Sequence, residues 1–130
     1  MEGFIEVPGV ADMTDGELRQ AEIDGHEFVV ARVGGNFYIG DNHCPHMGGR
    51  LSKGRLDGTV ITCHVHHSQF DITDGRVIRW TDWKGAVLTV GELVRHPRPM
   101  RTYEVTTDDG RVFVGPQKPP PALEAPEPYQ

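Results

Sequence analysis

The chain has 130 residues, of which 37% are hydrophobic and 25% charged, with 16 glycines and 10 prolines. That length suits one domain with a modest core and little room for a second site, and the turn-rich composition predicts many short strands and an all-β fold. A formal charge of -6 excludes a general nucleic-acid binder, which needs Lys and Arg to displace counterions from phosphate, and points to a basic docking face on a partner protein.

The first residues lack the positive start and apolar run of a secretory signal, and no stretch approaches the length of a membrane span. A cytoplasmic chain with no membrane partner is expected. Residues 1–15 hold turn material, Pro8-Gly9 and Thr14-Asp15-Gly16, around the apolar piece from Phe4 to Val7. Leu18, Ala21 and Ile23 alternate only partly, which predicts a strand over 17–23, and His26 beside Gly25 reads as a solvated turn residue. Segments 27–32 and 36–40 are rich in Phe, Tyr, Val and Ile and flank Gly34-Gly35, which predicts a β-hairpin.

Two short loops follow, Cys44-Pro45-His46 and Cys63-His64-Val65-His66, sixteen residues apart and holding both cysteines of the chain. Between them, 55–62 reads as strand, turn at Asp57-Gly58, strand. Beyond them, 69–72 and 76–78 flank Thr73-Asp74-Gly75 as another hairpin, so the two loops hang from adjacent hairpins. In 80–96, Thr89-x-x-Glu92 is a capping box that predicts a helical turn or two. Segments 102–106 and 111–114 form a closing hairpin around Asp108-Asp109-Gly110. The Pro-rich tail, 116–130, is expected to be disordered or polyproline-like.

Each of the two loops offers one soft sulfur and one nitrogen. A 2Fe-2S cluster with two Cys on one iron and two His on the other needs that set, because thiolate serves ferric iron while neutral imidazole leaves the second iron more electron-poor. In an extended loop residues i and i+2 project the same way, so Cys44 can hold the near iron and the longer His46 the far one. A structural zinc site is the runner-up, although its usual knuckle pairs Cys with Cys and His with His. A catalytic Cys-His pair leaves the second loop unexplained. Buried cysteines with unrelated surface histidines leave unexplained why His46, His64, His66 and His67 are four of only seven.

Cys44-x-His46, sixteen residues, then Cys63-x-x-His66 resembles the Rieske iron-sulfur pattern. Pro45, Gly48, Leu51, Phe70-Asp71 and Asp74-Gly75 agree with it, and the likeness extends over roughly residues 17–115. The resemblance implies an antiparallel β-sandwich as a single domain over 1–115. Residues 1–41 and 76–115 would be its base and 42–75 an inserted cluster-binding subdomain. It implies one 2Fe-2S cluster on Cys44, His46, Cys63 and His66, the histidines on the outer iron near solvent. The protein would carry single electrons, with no catalytic residues of its own, from a flavin reductase to a terminal oxygenase. A small Rieske-like subunit of a reductase, such as nitrite reductase, is the other function of similar size. An oxygenase large subunit would need a further iron site from two His and a carboxylate, and no suitable His pair is left over. Pro97-Arg98-Pro99 resembles the family's proline loop, so Pro99 is placed beside the cluster. High-potential relatives carry two hydroxyl donors to sulfur where Ser68 and Phe70 stand here. They carry a loop-bridging cysteine pair where this chain has Gly49 and Val65. His67 stands where the family commonly has Gly.

Overall fold

The structure, a computed structural model, describes residues 3–45, 49–65, 67–79 and 98–121. The described residues form β1 (Ile5–Glu6), β2 (Leu18–Ile23), β3 (His26–Val33), β4 (Asn36–Asp41), a 3-10 turn (Leu51–Lys53), β5 (Arg55–Asp57), β6 (Val60–Thr62), β7 (Gln69–Asp71), β8 (Val77–Arg79), β9 (Thr102–Asp108) and β10 (Arg111–Gln117). All pairings among the described residues are antiparallel, in a six-stranded sheet of order β1-β10-β9-β4-β3-β2 and a four-stranded sheet of order β5-β6-β7-β8. The all-β, antiparallel reading of the sequence therefore holds. No helix among the described residues is long and apolar enough to cross a membrane.

Phe28-Val29-Val30-Ala31 in β3 explains how the two sheets are joined. A strand buried on both faces reads as a continuous apolar run, because its alternate side chains enter different cores. Phe28 and Val30 enter one core with Val7, Val10, Met13, Ala21, Ile39, Val112 and Val114. Residues from both ends of the large sheet thus meet across that core, as a sandwich requires. Val29 and Ala31 enter a second core with Cys44, Leu51, Ile61, Cys63, Phe70, Ile72 and Met100. Fully burying each of these larger side chains contributes about 1.5–3 kcal/mol. The second core glues the small sheet to the base.

The hairpins predicted from turn residues are present. β3 and β4 close through Gly34 (φ 59) and Gly35 (φ 83), and β9 and β10 through Asp109 (φ 54) and Gly110 (φ 78). Positive φ at both central positions matches the right-handed twist of the flanking strands.

Four expectations need correction or lie elsewhere. Residues 77–79 form β8 and pair with β7, so the small sheet extends past 75 and the second part of the base starts later than 76. β10 runs on to Gln117, and the Lys118 amide donates to the Thr102 carbonyl at 2.8 Å, so the ordered chain passes 115 and the tail does not start at 116. His26 is not simply solvated: it stacks on Phe28 and lies 2.7 Å from an Asp41 carboxylate oxygen that also accepts the Tyr103 hydroxyl. The capping box in 80–96 lies outside the described residues.

Gly75 joins the two parts of the molecule. It has φ +86, its carbonyl accepts the Met100 amide at 2.9 Å, and a Cβ there would lie 2.1 Å from the Met100 carbonyl oxygen. Gly75→Ala is therefore expected to destabilise the fold by about 2–5 kcal/mol, the left-handed backbone and the overpacking each contributing. Urea denaturation of the two proteins checks this.

Candidate metal centre

The first cysteine loop leaves β4 and returns into the 3-10 turn, and Asn42 braces it. Asn42 is fully buried, and its side-chain carbonyl accepts the Ser52 amide at 2.8 Å while its backbone carbonyl accepts the Leu51 amide at 2.7 Å. Its amide donates to the Glu27 carbonyl at 3.1 Å. The Cys44 amide donates to the Gly49 carbonyl at 2.7 Å, closing the loop, and His43 bridges to Arg50 below it. Arg50 is anchored to Glu27 at 3.1 Å, and this hydrogen bond holds the Glu27 carboxyl below the usual carboxylate range. Sequence reasoning did not find Asn42. Its only signal was an Asn just ahead of a loop, a residue that readily bonds nearby backbone.

The second loop is a tight turn between β6 and β7. The Cys63 amide donates to the Ser68 carbonyl at 2.8 Å and the His67 amide to the Cys63 carbonyl at 3.0 Å. His67 takes φ +60, so it adopts the left-handed conformation that a Gly would adopt at lower cost. The Arg79 guanidinium secures the turn by donating to the His67 carbonyl at 3.0 Å. Ser68 and Phe70 are fully buried, Phe70 in the core shared with both cysteines.

The structure brings together Cys44 and Cys63, each 3% exposed or less, in one cluster. His46 and His66 lie outside the described residues. The segment with Pro99 is also drawn in: Arg98 donates to the Pro45 carbonyl at 3.2 Å, Pro99 is half-buried, and Met100 packs in the cysteine core. His43 and His64 are exposed.

The loops touch at Gly49 and Val65. A Cβ on Gly49 would lie 3.5 Å from the Val65 Cβ and 3.2 Å from the Cys63 sulfur. That Cβ separation fits a disulfide. Gly49→Cys with Val65→Cys is thus expected to lock the two loops when a disulfide oxidant such as oxidised glutathione takes up the two electrons and two protons, and mass spectrometry of intact protein should show the loss of two hydrogen atoms.

These residues fit a two-iron cluster: two thiols are buried in one core, and the absence of a Cβ at Gly49 leaves room beside the Cys63 sulfur. An all-β fold with two cysteine loops that touch at Gly49 and Val65 suits an iron-sulfur domain. The Rieske [2Fe-2S] domain family matches residues 3–104, and the chain belongs to it. The ferredoxin component of the naphthalene 1,2-dioxygenase system of Pseudomonas putida is 32% identical over 75 residues, 58% of this chain and 72% of that one. Ferredoxin CarAc of Metapseudomonas resinovorans is 29% identical over 116 residues, 88% of this chain and 95% of its own. A solved complex of reduced oxygenase and oxidized ferredoxin in carbazole 1,9a-dioxygenase contains a chain with TM-score 0.69 and 27% identity, matched over 95% of this chain and 100% of that one. The protein is a one-electron carrier with one 2Fe-2S cluster, not an enzyme in its own right.

Proposed function

We propose that the carrier works in the cytoplasm between a flavin reductase and a terminal oxygenase. Cys44 and Cys63 would hold the inner iron, and His46 and His66 the outer one. Ser68, Phe70 and Pro99 would lie next to the cluster. The domain would run from the first strand through Lys118, with the small sheet as its cluster-binding part. The observation that carries this reading is the meeting of Cys44 and Cys63, from two loops sixteen residues apart, in one buried core. Relatives that are ferredoxin components of dioxygenase systems support the oxygenase as acceptor.

The cluster, when bound, supplies reversible one-electron chemistry at a potential that its ligands and their hydrogen bonds set. The chain does the rest. The second core keeps water from the two sulfurs. Asn42 and Arg79 fix the two loops by backbone contacts, which limits the rearrangement of ligands when charge changes. No acid, base or substrate cavity is required for such a task.

Purified protein should be coloured, hold about two irons and two sulfides per chain, and give a rhombic electron paramagnetic resonance signal once reduced. Colourless protein with one zinc per chain would refute the reading. Anaerobic mixing with a flavin reductase and a dioxygenase terminal component tests the partners: product should form only when the carrier is present.

A further inference from the structure

The charges of the small sheet are sorted by end. Its register places Arg55 opposite Thr62, and Gln69 opposite both Thr62 and Arg79, at the end that bears the second cysteine loop. Lys53 stands in the 3-10 turn just before β5. The carboxylates Asp57 and Asp71 lie at the opposite end, where Asp57 pairs with Val60 and Val60 with Asp71, and Asp74 follows in the turn beyond β7. Residues 42–79 contain five Lys or Arg against three Asp or Glu, a local +2 in a chain of net -6.

Lys53, Arg55 and Arg79, with Cys63, His64 and His67, line an open cleft of about 470 Å³. Its lining includes no carboxylate. Among the described residues no carboxylate forms an ion pair with Lys53, Arg55 or Arg79, whereas Arg19, Arg32, Arg50, Arg76, Arg101 and Arg111 all do. In the same cysteine loop Val65 is 39% exposed, one of the few large apolar side chains so placed among the described residues.

We propose that this face, the open cleft carrying Lys53, Arg55 and Arg79 beside the second cysteine loop, docks an acidic patch on the redox partner protein. The inference rests on the electron-carrier reading and names the partner's chemistry. Net charge alone pointed to a basic partner. Screening at physiological salt limits an exposed charge to about 8 Å, so the charges beside the loop govern docking there and more distant ones do not.

A salt profile with a protein partner would fall for either sign of complementarity, so the test uses small probes of known charge. Holo protein is reduced under anaerobic conditions and mixed rapidly with ferricyanide, which takes one electron and becomes ferrocyanide, or with tris(phenanthroline)cobalt(III), which becomes the cobalt(II) complex. The ferricyanide rate constant is expected to fall as ionic strength rises. Lys53→Glu with Arg55→Glu should lower it about threefold or more at low salt, with the cluster absorbance retained. Arg111→Glu, a charge change on the base, should leave it nearly unchanged. Oxidation by the cobalt complex should respond to the double variant in the opposite direction. As a second readout, wild type and Arg111→Glu should be held on a heparin column that the double variant passes. A ferricyanide rate that rises with salt, or a double variant that behaves like Arg111→Glu in both readouts, would overturn the proposal. Protein that holds no iron or takes up no electron would reject the carrier reading instead, and heparin retention would still decide the charge pattern.

Discussion

Protein stripped of iron, and equally Cys63→Ala, is expected to lose its visible absorbance while keeping its β-sheet circular dichroism, with hydrogen exchange accelerating at the two cysteine loops. The magnitudes favour this split. Holding a residue in one backbone conformation costs about 1–2 kcal/mol, and a typical hydrogen bond returns about 0.5–1.5 kcal/mol net. Each loop orders several residues, and the bonds across them are few: Cys44 to Gly49 and Arg98 to Pro45 hold the first, and Cys63 to His67 and Ser68 with Arg79 on the His67 carbonyl hold the second. Metal ligation, which reaches about 10–16 kcal/mol in small zinc domains, is large enough to cover that deficit. The strands need no such help, since Val29, Ala31, Ile61, Phe70 and Ile72 are buried without it. Amides of 44–49 and 63–68 should therefore exchange rapidly in the stripped protein, and those of Ile61 and Phe70 should stay protected. Unchanged protection of both loops after iron removal would show that the protein scaffold alone orders them.

The family was legible because its motif is local: two Cys-His loops and their spacing stand in the linear sequence. So were the hairpins, since Gly34-Gly35 and Asp109-Gly110 are turn chemistry that needs no tertiary context. The parts that escaped depend on contacts distant in sequence. Val10 and Met13 sit among turn residues and show no periodicity, yet both are buried at 1% exposure or less, because the N-terminal segment folds over the core of the large sheet. The hairpin of 69–72 with 76–78 was legible from its turn residues, and only its consequence, that the small sheet runs past the boundary set at 75, was missed. His26 looked solvated beside its glycine until β4 brought Asp41 within 2.7 Å of it. A net charge summed over the chain likewise does not show that Lys53, Arg55 and Arg79 line one cleft.

The reduction potential is expected to lie in the lower half of the Rieske range of about -150 to +300 mV, and two substitutions should move it in opposite directions. Donors aimed at the sulfurs stabilise the extra negative charge of the reduced state, so each hydroxyl added raises the potential and each one removed lowers it. A hydrogen bond to an ionised group contributes about 1.5–3 kcal/mol, and about 59 mV corresponds to a tenfold change for one electron. Even a fraction of one such bond is worth several tens of millivolts. Ser68 is fully buried in the turn that carries Cys63, and that turn is intact: His67 supplies the positive φ itself, and Cys63 bonds both His67 and Ser68 across it. The replacement of the usual Gly by His67 has not swung Ser68 out to solvent. Ser68→Ala should accordingly lower the potential by several tens of millivolts. Phe70 is also fully buried, with its ring in the core shared by Cys44 and Cys63, and a buried tyrosine hydroxyl requires a partner. Phe70→Tyr, with its hydroxyl directed to the sulfurs that share this core, should raise the potential by a similar amount. Protein-film voltammetry of the three proteins gives the answer directly. A potential in Ser68→Ala equal to wild type would place its hydroxyl away from the sulfurs, and an unchanged potential with lowered stability in Phe70→Tyr would mean that the added oxygen is buried among apolar neighbours.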